Sequence, residues 1–247
     1  MGRQATRISV LFGLNPSLVA IDNYSELEAA GNIIDVLDAT DGEEGILLVN
    51  SAPRQKKKWP NGTPFGYFTY KKTLVISTID GYCLSLVKKF GLVDSLSLTD
   101  VPTVVDKMIQ EGKLDVSLRD TIAKSQFRSF DYMPRLARWI KDGVEIPHEK
   151  YDFSQIEDMP KTIWWVDNFG NCKTTLIAED VDFQPGKEIE MKFGKMKCFT
   201  QLRDVPVGEA GLTIGSSGLG NKRFLEIVVQ GKSAAEHFNL QAGSEIL

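Results

Sequence analysis

The chain has 247 residues, 42% of them apolar and 25% charged, with a formal net charge of −4. That is the make-up of an ordinary soluble globule large enough for a substantial core, as one large domain or two modest ones. It argues against general nucleic-acid or membrane-surface binding, and no apolar run reaches the roughly 20 residues of a membrane span.

Three widely spaced cysteines, Cys83, Cys172 and Cys198, form no C-x-x-C pair, and the two histidines have no partner at metal-ligand spacing. A reduced, cytoplasmic setting with no metal is the expectation. No signal peptide is read, and the match of Gly2 and Thr6 to a myristoylation pattern is set aside as accidental. The basic cluster of Arg54 with Lys56, Lys57 and Lys58 reads as a solvated loop.

In chain order, residues 7–12 read as a buried strand. Residues 24–37 read as an amphipathic helix, with Leu27, Ala30, Ile33, Ile34 and Leu37 at helical spacing. Residues 45–49 are a short strand, 54–65 a loop, and 67–78 a hairpin turning at residues 70–72. Asp80-Gly81 opens a helix that Gly91 closes. Thr99 or Asp100 caps another, and residues 131–141 form a third that ends at Gly143. Strands alternating with helices predict a three-layer α/β domain over residues 1–145. The polar, proline-bearing stretch 146–160 reads as a linker.

Residues 161–247 are different in kind: short strands at regular intervals predict a small β-barrel domain. Its centre is residues 161–176, KTIWWVDNFGNCKTTL, an apolar strand, a tight turn and a second strand. The turn presents a carboxylate (Asp167), an aromatic ring (Phe169) and an amide (Asn171), which suits a polar ligand bearing a cation and a flat heterocycle. A plain hairpin with a half-buried phenylalanine is the alternative. The glycine-rich stretch 215–220 lacks the Gly-Lys-Ser/Thr of a phosphate loop and reads as a hairpin end.

Three segments then resemble one family, in order: VDNFGNCKTT at 166–175, the Asp-Val-Pro with Gly208-Glu209 around 204–209, and FLEIVVQGKSAAE at 224–236. The family is the S-adenosylmethionine (SAM) hydroxide adenosyltransferases, which share a fold with the SAM-dependent fluorinase and chlorinase. Residues 77–81 and 126–134 resemble, more faintly, two N-terminal motifs of the same family.

That resemblance implies an N-terminal α/β domain joined to a C-terminal β-barrel, and a homotrimer with SAM between neighbouring subunits. It implies that Asp167 holds the methionine ammonium, that Phe169 stacks on adenine and that Asn171 meets the ligand's polar edges. Backbone at Ser233 and Ala234 would read the adenine, while Leu202 stands where a second stacking ring is usual. The hydrolytic members place water with an Asp, an Arg and a His. Here those positions read Asn50, Lys57 and Arg128; the Asn50 amide cannot accept a proton at neutral pH, and Arg128 cannot be a base at all.

The expected function is therefore a divergent adenosyltransferase or hydrolase that cleaves the C5′–S bond of SAM to adenosine and methionine, with Asp80, Asp131 or Lys57 replacing the lost triad. The alternatives are a non-catalytic adenosyl-ligand binder and a halogenase. The latter draws on Ser129, which lies where fluorinase-type enzymes carry a serine.

Overall fold

The computed structural model describes residues 2–22, 25–51, 59 and 62–247. It opens with helix α1 (Gly2–Phe12), followed by α2 (Glu26–Ala39), whose N-cap Ser25 accepts from the Glu28 N–H. Strand β1 (Gly45–Val49) precedes the hairpin β2 (Phe65–Tyr70) and β3 (Thr73–Thr78), which turns where the sequence predicts. Then come α3 (Ser85–Phe90), closed by Gly91 in the left-handed region, and β4 (Ser95–Thr99). Helix α4 (Val101–Gln110), N-capped by Asp100, leads into α5 (Arg119–Ala123), α6 (Arg128–Asp131) and α7 (Met133–Lys141). Strand β5 (Glu149–Asp152) follows.

These strands form one sheet in the order β1-β3-β2-β4-β5, parallel only between β1 and β3. The structure departs from the sequence expectation at two places. Residues 7–12 belong to helix α1 instead of a strand. Ile8, Val10 and Phe12 alternate as a strand would, but none of α1 is fully buried, so its alternation does not mark a sheet face. The polar stretch after residue 144 also contains a strand, β5, paired edge-on with β4. Only Tyr151 of its four residues is buried, so it carries little apolar signal.

The second sheet has six strands: β6 (Ile163–Val166), β7 (Cys172–Ile177), β8 (Glu188–Met191), β9 (Gly194–Phe199), β10 (Ala210–Leu219) and β11 (Lys222–Val229). Helix α8 (Ala234–Phe238) follows, N-capped by Ser233. The order β6-β7-β11-β10-β9-β8 curls into a half-barrel. The glycine-rich stretch is itself strand, with a register shift between Ile214 and Gly218, and the hairpin turns beyond Leu219. The end of the described chain lies across the barrel's open side. The Ile163 N–H donates to the Ser244 carbonyl (3.0 Å) and the Ile246 N–H to that of Lys161 (3.1 Å). From the opposite edge, the Lys192 N–H donates to the Ile246 carbonyl (3.1 Å).

An α/β layer and a β layer are thus both present, as the sequence predicts. Helices α4 and α7 cover one face of the first sheet through Val104, Met108, Met133 and Leu136. Helices α2 and α3 cover the other, and their cluster runs on into Trp164, Ile177 and Phe224 of the half-barrel. The two sheets therefore share apolar core. Trp164 lies so close to Gly31 that a Cβ there would overlap its ring.

Polar contacts flank this junction. Asp35 Oδ1 accepts from the Gly218 N–H (2.9 Å), and Asp38 accepts from Arg223 Nη1 (2.6 Å) and the Gly220 N–H (2.9 Å). Lys89 pairs with Asp180 and also donates to the Thr175 carbonyl. Among the described residues, no helix is long and apolar enough to cross a membrane.

Candidate functional site

Strands β6 and β7 join through the turn that the sequence singles out. The Asp167 N–H donates to the Asn171 carbonyl (3.0 Å), and the Gly170 N–H to that of Asp167 (3.0 Å). Gly170 takes φ +80°, giving a tight turn that ends on a left-handed residue. Glycine is needed for a second reason: a Cβ at Gly170 would sit 2.8 Å from the Ser233 Cα. The Gly170 carbonyl accepts from the Ala235 N–H (2.9 Å), which locks the turn against the start of α8.

Asp167 organises this loop. Its Oδ1 accepts from the Phe169 N–H (2.8 Å) and the Asn171 N–H (2.9 Å), and its Oδ2 from Asn171 Nδ2 (3.0 Å). A carboxylate offers about four acceptor positions, so about one, on Oδ2, is left for a ligand. The turn then holds Phe169 out into solvent, 80% exposed. Asp167, Phe169, Asn171, Ser233 and Ala234 are brought together in this way. Leu202, 41% exposed, stands on a separate turn after β9.

Behind the turn lies a charged group that the sequence reading passed over. Glu226 on β11 is largely enclosed, and burial, with Asp167 and Asp35 adding to it, raises its pKa against the opposing charge of Lys173. Lys173 bonds the Ser217 hydroxyl and lies 3.9 Å from Asp35 Oδ2. A glutamate between Leu225 and Ile227 in an apolar strand was the available signal.

Two of the other candidate residues, Asn50 and Asp80, follow strands of the first sheet. Val49 pairs with Ser77 in the parallel register, so the chain leaving β1 and the chain leaving β3 emerge side by side. That edge, at the carboxyl ends of parallel strands, is where α/β sheets usually bind ligands. Asn50 is exposed there, and Ser51 after it is buried, its carbonyl accepting from the Thr78 hydroxyl. Asp80 is only 5% exposed, and its Oδ2 has no hydrogen-bond partner. The next residue, Gly81, has φ +70°, and a Cβ there would overlap the Glu26 carboxylate. Glu26 Oε2 accepts from the Tyr82 N–H (2.6 Å). Cys83 closes the floor, its thiol pushed up to about 11 by burial.

Arg128 is half-buried, and desolvation lowers its pKa; its Nη1 reaches the Gly62 carbonyl at 3.5 Å. Ser129 follows it in α6. Asp131 accepts from the Ser125 hydroxyl (2.6 Å). Lys57 lies outside the described residues. Among the described residues no group of three or more histidine, cysteine or acidic side chains is placed to hold a metal.

The family described as "SAM hydroxide adenosyltransferase C-terminal domain" matches residues 161–247. Among solved structures, an uncharacterized conserved protein from Thermotoga maritima is similar at TM-score 0.65 and 14% identity, covering 100% of this chain and 94% of that one. A conserved hypothetical protein from Thermus thermophilus is similar at TM-score 0.62 and 16% identity, covering 98% and 93% respectively. No curated protein matches the chain. At such identities the two structures speak for the fold, which runs the length of the chain. Residues 161–247 are thus similar to the C-terminal domain of SAM hydroxide adenosyltransferases, and the fold of the whole chain is that of the two solved structures.

Proposed function

We propose that the protein binds SAM and cleaves its C5′–S bond, with water as the nucleophile. The observation that carries the binding half is Phe169. A large aromatic ring held 80% exposed on a hydrogen-bonded turn has no packing role in this chain and is a platform for a flat heterocycle. The free position on Asp167 Oδ2 suits an ammonium, and Asn171 and the Ser233–Ala234 backbone border the same surface. The family's arrangement adds a homotrimer, in which this turn would face the first sheet of a neighbouring subunit.

For the chemical half, Asn50 and Arg128 cannot take a proton at neutral pH. Of the carboxylates at hand, Asp131 is bonded to Ser125, whereas Asp80 keeps an unpartnered oxygen at the carboxyl edge of β1 and β3. Asp80 is the base in this reading. The water oxygen bonds to C5′ as the C5′–S bond breaks, the bonding electrons leave with sulfur as the methionine thioether, and the water proton passes to Asp80. The half-buried Arg128–Ser129 end of α6 offers dipoles and charge rather than a base.

A second reading, an adenosyl-ligand binder without turnover, is favoured by one observation. Three hydrogen bonds to Asp167 come from its own turn, so the turn persists whether or not a ligand is cleaved.

A single-turnover assay in halide-free buffer, with protein comparable to SAM and adenosine and methionine read by chromatography, separates the two. Adenosine is expected from the native protein and not from Asp80→Asn, which should keep the SAM-induced rise in melting temperature. Asp167→Ala should lose both. Unchanged turnover in Asp80→Asn would remove that residue from the chemistry, and a melting shift without product would establish the binder.

A further inference from the structure

The helix that replaces the expected opening strand builds a second site, on the face of the first sheet away from the half-barrel. Helix α1 lies over α6 and α7: Gln4 Nε2 reaches Met133 Sδ (3.9 Å), and Arg138 Nη1 donates to the Leu11 carbonyl (2.8 Å). Between them is a cleft of about 570 Å³ lined by Arg3, Thr6, Arg7, Val10, Phe130 and Arg135, among others. The guanidinium carbons of Arg3 and Arg7 both sit against Phe130, 4.1 and 4.6 Å from its ring centre.

Three guanidinium groups therefore meet in one cleft. Among the described residues, none of Arg3, Arg7 and Arg135 has a carboxylate within ion-pair distance, although Arg138 next to them is paired with Asp142. Arg135 is half-buried, and its Nε is enclosed without an acceptor. Burial, and then the charge of Arg7, lower its pKa, with Asp131 opposing from a distance. Solitary surface arginines are solvated and need no explanation. Here the ring fixes two of them side by side, and Arg135 lines the same space as a third cation. Like charges held together with no carboxylate among them are unfavourable by themselves, and an anion bound in the cleft relieves that repulsion.

We infer that this cleft binds a small phosphorylated molecule, its phosphate gripped by Arg7 and Arg135 with Arg3 at the rim. The guanidinium fork matches phosphate geometry, and a dianion balances this cluster better than a single carboxylate would. The cleft is larger than a phosphate group, and its wall at Val10, 77% exposed, offers apolar surface to an organic remainder. An extended nucleic-acid track is disfavoured by the chain's net charge of −4 and by the compactness of the cluster. None of these residues belongs to the adenosyl site, so the two sites stand or fall separately.

Isothermal titration with ribose 5-phosphate, and separately with inorganic pyrophosphate, tests it. Saturable one-to-one binding that weakens with salt is expected. Arg7→Gln and Arg135→Gln should each reduce affinity about tenfold or more, since each removes charge-assisted hydrogen bonds. Lys195→Gln, on the half-barrel, should leave it unchanged. If Arg135→Gln melts early, Arg7→Gln carries the result, because Arg7 has no enclosed, unpartnered polar atom. Tighter binding of the sugar phosphate identifies the organic ligand, and tighter binding of pyrophosphate a free phosphate. Unsaturable heats, an equal loss in Lys195→Gln, or tighter binding of a short DNA duplex that Arg135→Gln does not disturb would each overturn the site.

Discussion

Asp167 and Gly170 make one device from two residues: the carboxylate gathers the turn's N–H groups, and the glycine lets the chain pass against Ser233. Gly170→Ala combines a forbidden φ with a backbone clash, so we expect a loss of about 2 kcal/mol or more and of SAM binding together. Thermal melting with and without SAM checks this. Phe169→Ala separates the two effects. Its ring is in solvent, so stability should hold within about 0.5 kcal/mol while SAM affinity falls roughly tenfold.

The turn was legible in the sequence because every bond in it lies within five residues. Asp80 was legible only as a carboxylate: that its oxygen lies buried and unpartnered depends on the β1–β3 register and on Glu26 beneath Gly81, both distant in the chain. Glu226 was missed for the same reason, since its partners come from α2, β7 and β10.

Among elements, α2 was read correctly because its apolar residues recur at helical spacing and are buried. Helix α1 was misread because short, marginally apolar text supports either period when little of it is buried. The junction between α2 and the half-barrel is where stability should be most sensitive. Gly31→Ala pushes a methyl into the Trp164 ring, and we expect destabilisation of about 1–3 kcal/mol with a shift in tryptophan emission.

Asp38 sits at the same junction. Desolvation works against its ionisation, but the hydrogen bond and charge of Arg223, with the Gly220 N–H, hold its pKa below the reference value of 3.8. A lowered folded-state pKa gives stability that is present above the unfolded value and lost as pH falls through the folded one. The acid limb of melting temperature against pH should therefore flatten in Asp38→Asn, and an unchanged limb would show that Asp38 does not contribute.

At the scale of the molecule, the sheets meet through apolar core and not through a thin tether. Trp164, Ile177 and Phe224 are continuous with the α2–α3 layer. Unfolding by denaturant should accordingly show a single cooperative transition by both tryptophan fluorescence and circular dichroism, whereas separated transitions would mean that the sheets melt independently. Composition and alternation were enough to foresee two kinds of layer, because each layer's periodicity is local. Their shared core was not foreseeable, since it pairs residues more than a hundred positions apart.

The strap across the half-barrel carries a consequence for synthesis. Until residues 243–246 have left the ribosome, the edges at β6 and β8 have no partner for the N–H and C=O groups that those residues later bond. The nascent chain thus carries two open strand edges for the whole time that the rest of the barrel is complete. Strand edges of that kind recruit one another, so neighbouring chains on one message are at their most adhesive until residues 243–246 close those edges.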